Sequence, residues 1–292
     1  MRLSVETYDL VQKFGNEKAF RLLKNAGFAV VDYSLYWDSE GWLMQDDYRE
    51  KAIYIRNLLD EIGLVCSQTH APFHSTGGGK KKGIAYGETF DESNPEYLET
   101  VRALEVSAIL GAEHSVVHTL NTPLDVDVTE YNLPFFRSLV PYAEKFGIKI
   151  AIENLFRYNA ERKYITRIGT AEEMNTLLAA LNSDWFVLLV DTGHANLVGI
   201  PPQDLIRSLT PGALRGLHIQ DTDSTSDRHQ LPFMGKICWD EVIQALKDTG
   251  YQGDLTFEIN KILEPIPNEL AEAALAYSMA VGRHLLDKFN KA

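Results

Sequence analysis

Cysteine is nearly missing from this chain: among 292 residues only Cys66 and Cys238 occur, and they are not in CxxC spacing. Neither a disulfide framework nor a cysteine zinc site is indicated, and a reducing, cytoplasmic setting is the expectation. Long apolar runs are also missing. Nowhere do eighteen apolar residues follow one another, and the first residues, MRLSVETYDLVQKFG, lack a basic stretch followed by an apolar one. Membrane insertion and secretion are therefore not expected. Positive charge is scarce, with 28 basic against 41 acidic side chains and a formal net charge of −13. That balance opposes a polyanion over a large surface, so nucleic acid is an unfavourable partner. The only dense basic run is Lys80, Lys81 and Lys82, a possible contact for a substrate phosphate but not a P-loop. A GxGxxG turn after the first strand is missing too, which removes the main sign of a dinucleotide-binding sheet.

What is present is a regular alternation. Apolar, β-branched runs recur at 3–7, 29–36, 66–73, 114–120, 148–156, 186–195, 214–221 and 254–260. Between them lie segments with helical periodicity, such as EYLETVRALEVSAILG, which has Asn94 as N-cap, Pro95 at the first helical position and Gly111 as a stop. GNEKAFRLLKNAG, WDEVIQALKDTG and PNELAEAALAYSMAVGRHLL follow the same grammar. Eight continuous apolar strands with no second compositional block predict a parallel sheet closed on itself. The expected fold class is α/β, a single (β/α)8 TIM barrel spanning 1–292 as one domain.

Four of the runs, IAIENL, VDTGHAN, LHIQDTD and FEINK, end in a residue able to bind a metal: Glu153, Asp191, His218 and Glu258. They lie 38, 27 and 40 residues apart, near the length of successive strand and helix units. One ring of parallel strands can aim all four at the C-terminal mouth, where barrels place their active sites. Oxygen and imidazole donors suit one divalent ion, with Mn, Mg or Co foremost and Zn or Fe also compatible. Five of the eight histidines, His70, His118, His194, His218 and His229, sit at strand ends or just beyond. His74, His114 and His284 receive no role. Two long mouth loops, 74–94 with its glycines and 221–237, are either surface or a lid over substrate.

These segments resemble the xylose isomerase-like barrel superfamily, which holds sugar isomerases, ketose 3-epimerases, inosose dehydratases, hydroxypyruvate isomerases and endonuclease IV. The resemblance runs from the first strand to the last. It implies that Glu153, Asp191, His218 and Glu258 hold one metal, and that Glu153 and Glu258 are catalytic. The implied reaction is isomerisation or epimerisation of a ketose or related polyol-carbonyl compound through a metal-held enediolate, one acid removing a proton and the other returning one. Loss of a β-hydroxyl instead would make a dehydratase. The same resemblance implies an alternative, an endonuclease IV-like trinuclear zinc enzyme, in which His70, His118, His194, Asp227 and His229 are further ligands; otherwise these five touch metal or substrate.

Two features weigh against the nuclease: the acidic mouth loops with Asp38, Glu40, Asp221 and Asp223, and the likeness of DRHQLPFMGKICWDEV to the DxHxxPGxG segment of sugar isomerase-like members. A non-catalytic sugar-binding barrel is a further alternative, opposed by the intact metal set. Tyr36, Trp37, Phe73 and Phe156 could wall a sugar pocket, and Arg157 could bond a terminal hydroxyl or form a surface ion pair. The resemblance also implies a homo-oligomer, dimer or tetramer.

Overall fold

The computed structural model describes residues 1–36, 41–73 and 89–291. The chain opens with β1 (Leu3–Glu6), α1 (Tyr8–Ala26), β2 (Val30–Ser34), α2 (Tyr48–Ile62) and β3 (Val65–His70). There follow α3 (Pro95–Leu110), β4 (His114–Val116), α4 (Val128–Phe146), β5 (Lys149–Glu153) and a hairpin of β6 (Leu155–Tyr158) and β7 (Tyr164–Arg167). The remainder is α5 (Ala171–Leu181), β8 (Phe186–Asp191), α6 (Thr192–Leu197), α7 (Pro202–Ser208), β9 (Leu214–His218), α8 (Trp239–Asp248), β10 (Leu255–Phe257) and α9 (Ala271–Asn290).

Eight parallel strands hydrogen-bond in the order β10-β1-β2-β3-β4-β5-β8-β9. The ring closes through a parallel bridge between Ile219 and Phe257, where Ile219 N donates to Thr256 O at 2.7 Å and Glu258 N to Ile219 O at 3.1 Å. This is the expected TIM barrel, and each of the eight apolar runs supplies one of its strands.

The alternation of a strand decides which side chains enter the barrel. Ile150, Ile152, Leu188, Val190, Leu217, Leu255 and Phe257 join the large outer core beneath the helices, while Val116, Ala151, Val187 and Leu189 form a small cluster of their own inside the ring. Two residues on from Ala151 comes Glu153, two on from Leu189 comes Asp191, and His218 shares the parity of Gly216. Asp191 and His218 are direct partners in the β8–β9 register. The strand pattern thus carries Glu153, Asp191 and His218 up the same inner wall to the mouth.

Helix ends follow local chemistry. The Asn94 side chain accepts from the N–H groups of Glu96 and Tyr97, and α3 stops at Gly111 in the left-handed conformation (φ 82°). Among the described residues no helix is long and apolar enough to cross a membrane.

Several boundaries differ from the sequence expectation. The run 148–156 is not one strand: β5 ends at Glu153, and Leu155 begins a separate antiparallel hairpin with β7. Asn154 makes the break, because its side chain accepts from Asp191 N (2.7 Å) and donates to Asp191 O (3.0 Å), clamping β5 to β8. The run 186–195 likewise turns helical at Thr192, with the Asp191 carboxylate accepting from His194 N at 2.6 Å as the N-cap. The strand within 114–120 ends at Val116. Trp37, Asp38, Glu40, His74, Lys80, Lys81, Lys82 and the stretch 74–88 of the glycine-rich loop lie outside the described residues.

Candidate metal centre and active site

Donor atoms of Glu153, Asp191, His218 and Glu258 lie within 4.8 Å of one another, all four side chains being buried. His218 is the hub. Its Nδ1 faces Glu153 Oε1 at 2.9 Å and Glu258 Oε2 at 3.5 Å. Its Nε2 faces Asp32 Oδ2 at 3.2 Å and the Gln68 amide at 2.9 Å. When Nδ1 is given to a cation, the ring proton stays on Nε2, where Asp32 accepts it and fixes the tautomer. Gln68 also donates to Asp32 (2.6 Å) and meets His114 Nε2 (2.8 Å), so a polar chain runs down the barrel interior.

The five additional residues gather around this centre. His70 forms a second group with Glu153 and His218, and His194, Asp227 and His229 form a third, each with donor atoms within 4.8 Å. His118 Nε2 lies 2.8 Å from Glu153 Oε2 and 3.1 Å from His70 Nε2. His229 Nε2 lies 3.0 Å from Asp227 Oδ2, and its Nδ1 is 3.5 Å from Glu258 Oε2. Gln220 ties the groups together by donating to both Asp191 (3.0 Å) and Asp227 (3.1 Å).

Charge in this cluster is strongly redistributed. Burial would raise Glu153, but the His218 charge and hydrogen bonds from His118, His218 and His70 hold its carboxyl well below the usual range. Burial opposes charge on His218, yet Glu258 and Glu153 beside it hold it well above its ordinary value. His229, against the same burial, is raised to about 9 by Glu258 and Asp227. His118 is pushed down to about 3 by burial and so stays neutral. Asp191 is pushed up to about 7 by burial, with Glu258 and Glu153 adding to the rise. Glu153, Asp191 and Glu258 thus crowd on the His218 imidazole, with His194 and His229 held as cations at the edge of the group.

That crowding of donor atoms bears on whether a metal fits. Among the described residues Glu258 Oε2 is buried and makes no hydrogen bond; the rings of His218 and His229 stand 3.5 Å off, so the oxygen is open to a closer cation. Two glutamates, one aspartate and one histidine suit a divalent ion that accepts oxygen and imidazole together. The residues present therefore fit such an ion.

A cavity of about 970 Å³ opens onto the centre. Phe73 stacks on His118 (centroids 4.9 Å apart) and lies 5.3 Å from Tyr36, which in turn stacks on Tyr8 at 5.3 Å. Phe156 lines the other side, edge-on to His194 at 5.1 Å. Arg157 also lines the cavity, but it forms no surface ion pair among the described residues: its Nη1 donates to the carbonyls of Thr122 (2.7 Å) and Pro123 (3.0 Å). Asp221, expected to charge the mouth loop, is fully buried instead. Its carboxylate accepts from Thr222 N, Phe233 N, Ile237 N and Trp239 Nε1, and so folds the loop that carries Asp227 and His229. A Cβ at Gly235 would stand 2.2 Å from Asp221 Oδ1, so only glycine allows that approach.

Sequence reading passed over Asp32, Gln68, Asn154, Gln220 and Arg167. The signal was a polar residue inside an apolar strand run, as in AVVDYSL and CSQTHA, which in a two-sided buried strand must point at a partner.

Fold and site together define a (β/α)8 barrel with a buried carboxylate–histidine centre at the mouth of its strands. The profile of the xylose isomerase-like TIM barrel family matches residues 20–280, and the chain belongs to that family. It is 25% identical over 246 residues to D-psicose 3-epimerase of Enterocloster bolteae, covering 78% of this chain and 77% of that protein. It is 29% identical over 137 residues to fructoselysine 3-epimerase of Escherichia coli O157:H7, covering 47% of this chain and 48% of that one. A crystal structure of a D-tagatose 3-epimerase-like protein superposes with a TM-score of 0.74 at 21% identity, covering 99% and 98% of the two chains. Family and named relatives place the chain among the isomerase and epimerase enzymes.

Proposed function

We propose that this chain is a divalent-metal-dependent sugar epimerase or isomerase that acts on a ketose or related polyol-carbonyl compound. The observation that carries the reading is the convergence of Glu153 and Glu258, from β5 and the end of β10, on one buried point with Asp191 and His218. Those four residues would hold one divalent ion, Mn, Mg or Co in the first place. Bound there, the ion would act as a Lewis acid toward substrate oxygens.

The chain's own residues would do the proton work. One glutamate, as carboxylate, takes the proton from the carbon beside the carbonyl; the C–H electron pair becomes a C=C bond and the carbonyl π pair moves onto oxygen to give an enediolate. The other glutamate, as carboxylic acid, returns a proton to the opposite face of the same carbon, which inverts it. Return to the adjacent carbon instead interconverts aldose and ketose. His118, neutral and 2.8 Å from Glu153, orients that carboxyl. Asp227 holds His229 as a cation beside Glu258, suited to a substrate oxygen. Tyr36 and Phe73 give the sugar an apolar wall that limits water.

A second reading, a trinuclear zinc hydrolase, draws on the presence of His70, His118, His194, Asp227 and His229 within ligand reach of the same centre. The net charge of −13 disfavours it. Metal content per chain separates the two: about one ion supports the epimerase, and two to three zinc ions with cleavage of abasic DNA would replace it. On a ketose panel, Glu258→Gln should lower turnover by at least about a thousandfold with the fold retained; unchanged turnover would remove the mechanism. The reading extends to a one-domain, cytoplasmic protein that assembles with copies of itself.

A further inference from the structure

We propose that the cavity binds an anionic group of its substrate, a carboxylate or a phosphate, on the guanidinium groups of Arg167 and Arg157. The inference rests on the sugar-chemistry reading and names the substrate class for that site.

The β6–β7 hairpin brings the two arginines together. Leu155 pairs with Arg167 and Arg157 with Ile165, so the arginines are diagonal neighbours on one face of the ladder. Both line the cavity. Among the described residues the Nε of each is buried with no hydrogen-bond partner. Arg157 commits Nη1 to two backbone carbonyls, which fixes the fork, and among the described residues no acid pairs with it. Arg167 makes no side-chain hydrogen bond or ion pair among the described residues. The nearby acids are already engaged: Glu153 by His118 and His218, Asp227 by His229.

Two like charges, sunk in a cavity with unused donors, are costly on their own. Burial and the charge of Arg157 push the Arg167 guanidinium down to about 10, so it remains a cation at neutral pH. A hydroxyl offers an acceptor but no charge. A carboxylate or phosphate offers both, in the planar or forked geometry that guanidinium matches. Arg167 is also close enough to Glu153 and His118 to act on both electrostatically, so the anion would sit in the same cavity as the reacting carbons.

The test is equilibrium binding by calorimetry to the purified, metal-loaded protein, with three probes that differ only at one end: D-fructose, D-fructuronate and D-fructose 6-phosphate. At least one anionic probe should bind about ten- to a hundredfold tighter than fructose, and the tighter one tells carboxylate from phosphate. In Arg167→Gln the ratio of anionic to neutral affinity should fall to about one, with Arg167→Lys between. Equal binding of all three probes to the wild-type protein would overturn the proposal without any variant being needed, and so would a ratio that survives Arg167→Gln. Absence of turnover with the ratio intact would count against the epimerase reading and leave the anion site standing.

Discussion

Replacing Asp221 with alanine should destabilise the whole barrel, although the residue lies in a loop segment that reads as polar surface. The carboxylate is fully buried and accepts four hydrogen bonds: Thr222 N at 2.9 Å, Phe233 N at 2.9 Å, Ile237 N at 3.2 Å and Trp239 Nε1 at 2.9 Å. Each orphaned buried donor costs about 1–3 kcal/mol, and bonds to a charged acceptor fall in the upper part of that range. Water entering the vacated space recovers part of the loss, which brings the expected cost to about 3–5 kcal/mol. For a chain of this size that corresponds to a fall of roughly 5–15 °C in the unfolding midpoint. Differential scanning calorimetry and urea unfolding followed by tryptophan fluorescence measure it directly. Asp221→Asn should also lose stability, because its amide turns N–H groups toward donors. Gly235→Ala should join them, by forcing the carboxylate away. A loss below about 1 kcal/mol for Asp221→Ala would refute the view that this one carboxylate folds the loop.

Asp32→Ala should weaken metal binding by about ten- to a hundredfold, because it removes the acceptor that fixes the His218 tautomer; competition against a chromogenic chelator reads this, and unaltered affinity would discard the role. The pH dependence of stability should carry a mark of His114, which burial pushes down from 6.5 to about 4. Between those values the unfolded chain holds a proton that the folded chain does not. Stability contributed by neutral His114 is therefore full above pH 6.5 and is lost as pH falls through about 4. In His114→Gln the urea midpoint should drop less between pH 7 and pH 5 than in the wild type, and an identical drop would exclude His114 as a source.

The order of elements was readable because it depends on local periodicity. Strand runs with two buried faces alternate with capped helical stretches, and the only closed arrangement for eight of them is a barrel. The hairpin β6–β7 was hidden, since LFRY continues the apolar run of β5 without a break in composition. What ends the strand is the Asn154 clamp on Asp191, a contact between residues 37 positions apart.

Strand parity and unit spacing, both present in the chain itself, sufficed to send Glu153, Asp191, His218 and Glu258 toward one point. Closure decided everything that depends on neighbours from distant strands. Asp32 reaches His218 across 186 residues of sequence, and Gln220 bridges two acids. Asp221 becomes a buried hub, and Arg157 and Arg167 come to share a cavity. Local sequence sets the side of a strand on which a residue lies, but which charge faces it across the ring is fixed only when the first strand meets the last.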